Sequence, residues 1–78
     1  MNNRQLRKLG RRLRSERLAN EWTQVELGRR CGITNVYVCL LEAGKRRPSL
    51  AMLVKLARCF KIDPSDLIPK NGGRNKSC

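Results

Sequence analysis

Histidine is absent from this 78-residue chain, acidic residues number 6 against 18 Lys and Arg, and the aromatics are one Trp, one Tyr and one Phe. Without an imidazole, and with carboxylates falling mostly where helix caps and ion pairs need them, no acid/base or nucleophilic constellation can be assembled, so an enzyme is not expected. The four cysteines, Cys31, Cys39, Cys59 and Cys78, include no Cys-x-x-Cys pair. Structural zinc sites draw on paired ligands that a local turn brings together, so neither a metal nor a cofactor is expected, and the cysteines read as free thiols of a reducing compartment. No stretch approaches the roughly 20 apolar residues of a membrane span. The segment Met1 to Leu13 also lacks the apolar run of a secretory signal, so the expected location is the cytoplasm, with no membrane partner.

What the chain does carry is cationic charge, a formal +12. Such an excess concentrates polyanions and supplies sequence-independent affinity for nucleic acid through release of condensed cations. The alternative is charge that serves solubility alone. The length is enough for one domain, so a separate catalytic or ligand-sensing module is not expected within it. A domain of this size buries only about 60% of the surface of its unfolded chain, so stability must come from efficient helix packing or self-association.

Leu6, Leu9 and Leu13 recur at spacings of three and four among Arg and Lys, which predicts an amphipathic helix from Asn3 to Ala19, ended by Asn20 and Glu21. Thr23 is the next N-cap, with Glu26 completing a capping box and Trp22 available as a hydrophobic staple, so a second helix starts at Gln24. Gly32 closes it in the left-handed conformation, and Thr34 caps a third helix over Asn35 to Glu42. The segment Ala43 to Pro48, with Gly44 and the run Lys45, Arg46 and Arg47, reads as a loop. Ser49 caps a fourth helix, to about Cys59, whose stripe is Leu50, Leu53, Val54, Ala57 and the nearby Phe60. Asp63 and Pro64 open a short fifth helix with Leu67 and Ile68 facing the core. Residues 1–68 thus form the domain, and residues 69–78 read as a polar, disordered tail. The fold class is all-α, a compact five-helix domain.

Helices two and three, joined by a short turn containing Gly, meet the requirements of a helix-turn-helix. Gly28 supplies the small residue where the helices cross, despite costing about 1 kcal/mol in helix propensity. Gly32 fills the turn, and Leu27, Cys31, Ile33, Val38 and Leu41 are apolar at the buried positions. Extending the stripe Leu6, Leu9, Leu13 by four residues reaches Arg17, and extending Val38, Leu41 reaches Glu42. Two ions on core-facing positions survive when paired, so an Arg17 to Glu42 salt bridge between helices one and three is expected. The alternative is that both side chains snorkel to solvent.

The run from Leu9 to Ile68 resembles the phage repressor and Cro-like helix-turn-helix proteins, the XRE family. The resemblance rests on the ordered set Thr23-Gln24, Leu27, Gly28, Gly32, Ile33, Val38, Leu41-Glu42, Gly44-Lys45, Pro48-Ser49, Leu53, Leu56-Ala57 and Asp63 to Ile68. It implies a lambda-repressor-like five-helix domain that binds double-stranded operator DNA as a homodimer, with the third helix in the major groove. It implies further that Gln24 contacts a phosphate, that Thr34, Asn35, Val36 and Leu40 face the groove with Tyr37 and Cys39 close by, and that Lys45, Arg46 and Arg47 clamp phosphates. Asn35 would then pair with adenine, and Val36 or Leu40 would pack on thymine methyls. Arg4, Arg7, Arg11, Arg14 and Arg29 either widen the cationic footprint or form a solvated face. Two features depart from the family pattern. The third helix is apolar where the family more often has Gln, Arg, Ser or Lys, which makes Val36, Tyr37 and Leu40 an alternative protein-binding patch. Glu21 stands where the family usually has Gly, so Asn20 is expected to take the left-handed conformation.

The leading expectation is therefore a sequence-specific regulator of transcription, of the repressor or restriction-modification controller type. The competing one is an antitoxin or protein-interaction module built on the same helices. For a dimer, the expected contact is Phe60 to Ile68.

Overall fold

Five helices follow one another as α1 (Asn3–Ala19), α2 (Gln24–Cys31), α3 (Asn35–Glu42), α4 (Leu50–Phe60) and α5 (Pro64–Leu67). The structure, a computed structural model, describes residues 1–68; the tail expected over residues 69–78 lies outside the described residues. Each helix begins at a side chain that accepts from the first turn. Asn2 receives Gln5 N at 2.8 Å and returns its own N–H to Gln5 Oε1 at 3.1 Å, a reciprocal capping box. Thr23, Thr34, Ser49 and Asp63 cap the other four. The two hydrogen bonds from Ser65, the backbone one first, hold the Asp63 carboxyl below its ordinary 3.8. At Thr23 only half of the expected box forms. Thr23 accepts from Glu26 N at 3.0 Å, while the Glu26 carboxylate turns to Arg30 at 2.8 Å and Arg29 at 3.8 Å, since cations one turn on compete for it.

The first four helices share one ending. An N–H two or three residues past the end of the helix reaches back over five residues in each case: Trp22 to Arg17, Ile33 to Gly28, Lys45 to Leu40 and Ile62 to Ala57. This Schellman closure needs a left-handed residue just before that donor. Gly32 and Gly44 fill the role after α2 and α3, whereas Glu21 (φ 60°) and Lys61 (φ 59°) fill it after α1 and α4. The expectation for Asn20 is thus corrected. Asn20 stays right-handed, its side chain donating to Glu16 O at 2.8 Å, and Glu21 takes the strain.

The core is one cluster of Leu9, Leu13, Leu27, Cys31, Val38, Leu41, Leu53, Leu56, Ala57, Phe60 and Leu67. α3 packs against both α1 and α2, α4 against α2 and α5, and α5 back against α1. Two positions depart from the expected faces. Leu50 is 68% exposed and Leu56 fully buried, because the α4 stripe that meets the core runs Leu53, Leu56, Ala57, Phe60. Leu67 is buried but Ile68, in extended backbone past the end of α5, is 37% exposed. Trp22 packs as a platform, its ring 5.7 Å from that of Phe60 with Arg30 stacked 4.4 Å over its own centroid.

Candidate nucleic-acid interface

The crossing of α2 and α3 is set by Gly28. A Cβ there would sit 2.5 Å from the Ile33 carbonyl oxygen, so any side chain would force the turn away from α2. A second crossing depends equally on Gly10, a residue whose role the sequence patterning missed. A Cβ at Gly10 would lie 2.4 Å from the Glu42 carbonyl oxygen and 2.7 Å from that of Leu41, both backbone atoms of α3. The available signal was a glycine inside a long helix, tolerated there only for a packing reason. Between them, two glycines let α3 lie directly on α1 and α2.

A polar clamp fixes the far end of α3. Arg17 Nε donates to Glu42 Oε2 at 2.6 Å and Nη2 to Oε1 at 3.1 Å, while Nη1 donates to the Trp22 carbonyl at 2.9 Å. The two side chains are 10% and 5% exposed, and Gln24 Nε2 adds a donor to Glu42 Oε1 at 3.1 Å. Three helices meet in this network. A bidentate guanidinium and an amide compensate a carboxylate that the negative end of the α3 dipole would otherwise disfavour. Among the described residues, no buried side-chain nitrogen or oxygen lacks a partner.

With its buried side held by Val38 and Leu41, α3 turns its N-terminal residues to solvent. Thr34, Asn35 and Val36 are exposed, Val36 by 62%, and Cys39 is exposed beside them. Tyr37 and Leu40 are half-buried, with Tyr37 packed against the core cluster, so part of each ring or chain is already engaged by the fold. In the following loop Arg46 places its guanidinium 5.6 Å from the Tyr37 ring centroid, Arg47 donates to the Met1 carbonyl, and Lys45, exposed, closes the backbone turn. The three cations expected to act together therefore sit together beside α3, two of them with intramolecular contacts that order the loop. Gln24 opens α2, where its backbone N–H belongs to the first four that a helix leaves without an internal acceptor. Arg4, Arg7, Arg11 and Arg14 are exposed along α1, while Arg29 and Arg30 share Glu26.

No group of three or more His, Cys, Asp or Glu side chains suited to a metal occurs among the described residues. Nor is any helix among them long and apolar enough to cross a membrane.

The helix-turn-helix family profile matches residues 13–67. An uncharacterized HTH-type transcriptional regulator from Archaeoglobus fulgidus is 38% identical over 56 residues, 72% of this chain and 80% of the relative. Among solved structures, the restriction-modification controller protein C.AhdI from Aeromonas hydrophila superposes with a TM-score of 0.80 at 36% identity, covering 85% of this chain and 96% of that one. The clp gene regulator ClgR from Corynebacterium glutamicum superposes with a TM-score of 0.75 at 26% identity, covering 80% of this chain and 66% of that one.

Proposed function

The chain belongs to the XRE family of helix-turn-helix proteins and is a DNA-binding transcriptional regulator; from that premise we propose that it reads double-stranded operator DNA with α3 in the major groove. The observation that carries this reading is the exposed N-terminal face of α3, Thr34-Asn35-Val36, held by the Arg17–Glu42–Gln24 clamp and flanked by Lys45, Arg46 and Arg47. Asn35 presents an amide able to pair with adenine, and Val36 with the accessible part of Leu40 packs on thymine methyls. Thr34 and Tyr37 border the same groove, Gln24 meets a phosphate through the α2 N-terminus, and the loop cations meet the neighbouring backbone. Phosphate contacts set register and affinity while α3 sets the sequence.

A symmetric homodimer gives two copies of α3 the spacing of one DNA turn. Of the segment expected to join the copies, Phe60 is committed to the core and the exposed apolar residue is Ile68. Regulation by the C.AhdI-like route, as a controller protein of a restriction-modification system, is the specific form that the 36% identity favours. Such a protein works in the cytoplasm, where bacterial and phage DNA is held, and needs no catalytic step.

The 62% exposure of the apolar Val36 favours one second reading, an antitoxin-type or other protein partner docked on the α3 face. Replacing Lys45, Arg46 and Arg47 by Ala separates the two. For a DNA reader, anisotropy titrations across a salt series are expected to show weaker binding to every duplex. The slope of log affinity against log salt is expected to shrink by up to about 2.7, at roughly 0.9 per phosphate contact. An unchanged slope would remove the loop from the interface, and a partner protein captured equally by the parent and the triple variant would favour the second reading.

A further inference from the structure

Two of the cysteines lie face to face. Cys31 ends α2 and is buried; Cys59 sits in the last turn of α4 and is half-exposed. Their Sγ atoms are 2.9 Å apart, the Cys31 thiol donating to the Cys59 sulfur, and the Cys59 thiol in turn points to the Arg30 carbonyl at 3.5 Å. Disulfide sulfurs stand about 2.05 Å apart, so roughly 0.9 Å of closure separates the dithiol from a covalent bond. We propose that Cys31 and Cys59 are a redox modification site, which closes to an intramolecular disulfide when the protein meets a peroxide.

The two thiols divide the work by their surroundings. Desolvation, reinforced by the neighbouring Cys59 sulfur, pushes the Cys31 thiol up to about 12, so at neutral pH it keeps its proton. Cys59 is the member that solvent reaches. Lys55, one turn earlier on α4, brings a cation to the Cys31 end of the pair: its Nζ would lie 3.6 Å from a Cβ on Gly32. In the first step Cys59 gives up its proton and its sulfur attacks one oxygen of hydrogen peroxide; the O–O bond breaks, Cys59 sulfenic acid forms, and the leaving hydroxide takes up that proton as water. In the second step Cys31 sulfur attacks the sulfenic sulfur, its proton passes to the departing hydroxyl, and water leaves. Two thiols are oxidised by two electrons, and one peroxide becomes two waters. In a reducing compartment such a bond is a transient response to oxidant.

The ring closed by this bond contains the turn, the whole of α3 and the basic loop. Because so little movement is needed, the bond leaves the fold as it already lies and constrains the unfolded chain more than the folded one. Oxidation therefore ties the end of α2 to the last turn of α4.

The test uses the full chain with Cys39→Ser and Cys78→Ser, so that only the pair remains. After equimolar hydrogen peroxide under native conditions, both thiols are expected to disappear without added oxygen and the protein to remain uncrosslinked between chains. Trypsin is expected to release peptide 31–45 joined to peptide 59–61. The melting temperature is expected to rise by roughly 10 °C or more and to return with dithiothreitol. Retention of both thiols, a stable oxygen adduct on Cys59 beside a free Cys31, chains joined through Cys59, or a lowered melting temperature would each overturn the proposal. Adding Cys59→Ser, at the half-exposed position, is expected to leave melting near that of the reduced parent and to abolish the oxidative rise. A rise that persists in that variant would also overturn it.

Discussion

Glu42 shows how one residue ties the fold to the interface. Its carboxylate closes α3, yet its partners come from α1 and α2, so the ion pair sets where the reading helix ends relative to the rest of the domain. At 10% and 5% exposure neither charge is offset by water, and removing one partner of such a pair costs roughly 3–5 kcal/mol. Glu42→Ala is therefore expected to lower urea stability by about 3 kcal/mol, a large share of what a domain this small possesses. A variant with the parent's midpoint would mean that the pair is solvated in practice. Arg17 and Glu42 were legible because helical periodicity carries each apolar stripe onto a charge. Gln24 as a third partner was not, since an amide in a first helical turn leaves no periodic signature. Asn20 misled for a related reason: intrinsic preference favours Asn in the left-handed region, but the Schellman hydrogen bonds from Glu21 and Trp22 decide which residue occupies it.

At the scale of elements, boundaries were easy to read because each helix starts at Asn, Thr, Ser or Asp and ends at a hydrogen-bonding pattern that the chain announces with Gly at two of four sites. Faces were harder. The α4 stripe could run through Leu50 and Val54 or through Leu53 and Leu56, and only the positions of α2 and α5 select the second. The Arg17–Glu42 pair had already brought α1 to α3, but their close backbone approach was invisible, because nothing in Gly10 itself names the backbone that lies against it. Gly10→Ala is the corresponding test. Helix propensity alone would make it stabilising by about 1 kcal/mol, whereas a Cβ 2.4 Å from the Glu42 carbonyl oxygen must push α1 off α3. The expected net result is a loss of roughly 1–2 kcal/mol in denaturant unfolding, overpacking outweighing propensity. A gain in stability would show that α1 can slide away without consequence.

For the whole molecule, charge and shape contribute different parts of recognition. The net +12 was plain from composition and predicts affinity for any duplex, steeply dependent on salt. In the proposed reading, sequence preference depends instead on the small exposed area that begins α3, where Asn35 is the principal hydrogen-bonding side chain and Val36 the principal apolar one. The resemblance to the repressor family was enough to nominate those residues. What it could not supply was how much of Tyr37 and Leu40 the core would claim, since that follows from how α3 is rolled against α1 and α2. The claim that this modest apolar surface reads bases is tested most directly by selecting bound duplexes from a random pool, then titrating winners and scrambled controls by anisotropy at two salt concentrations. The expected result is an inverted repeat with half-sites about 10 base pairs apart, preferred over the controls by on the order of 10³ or more. Equal and steeply salt-dependent binding to every duplex would contradict it, leaving the charge as the whole of the affinity and the α3 face to a protein partner.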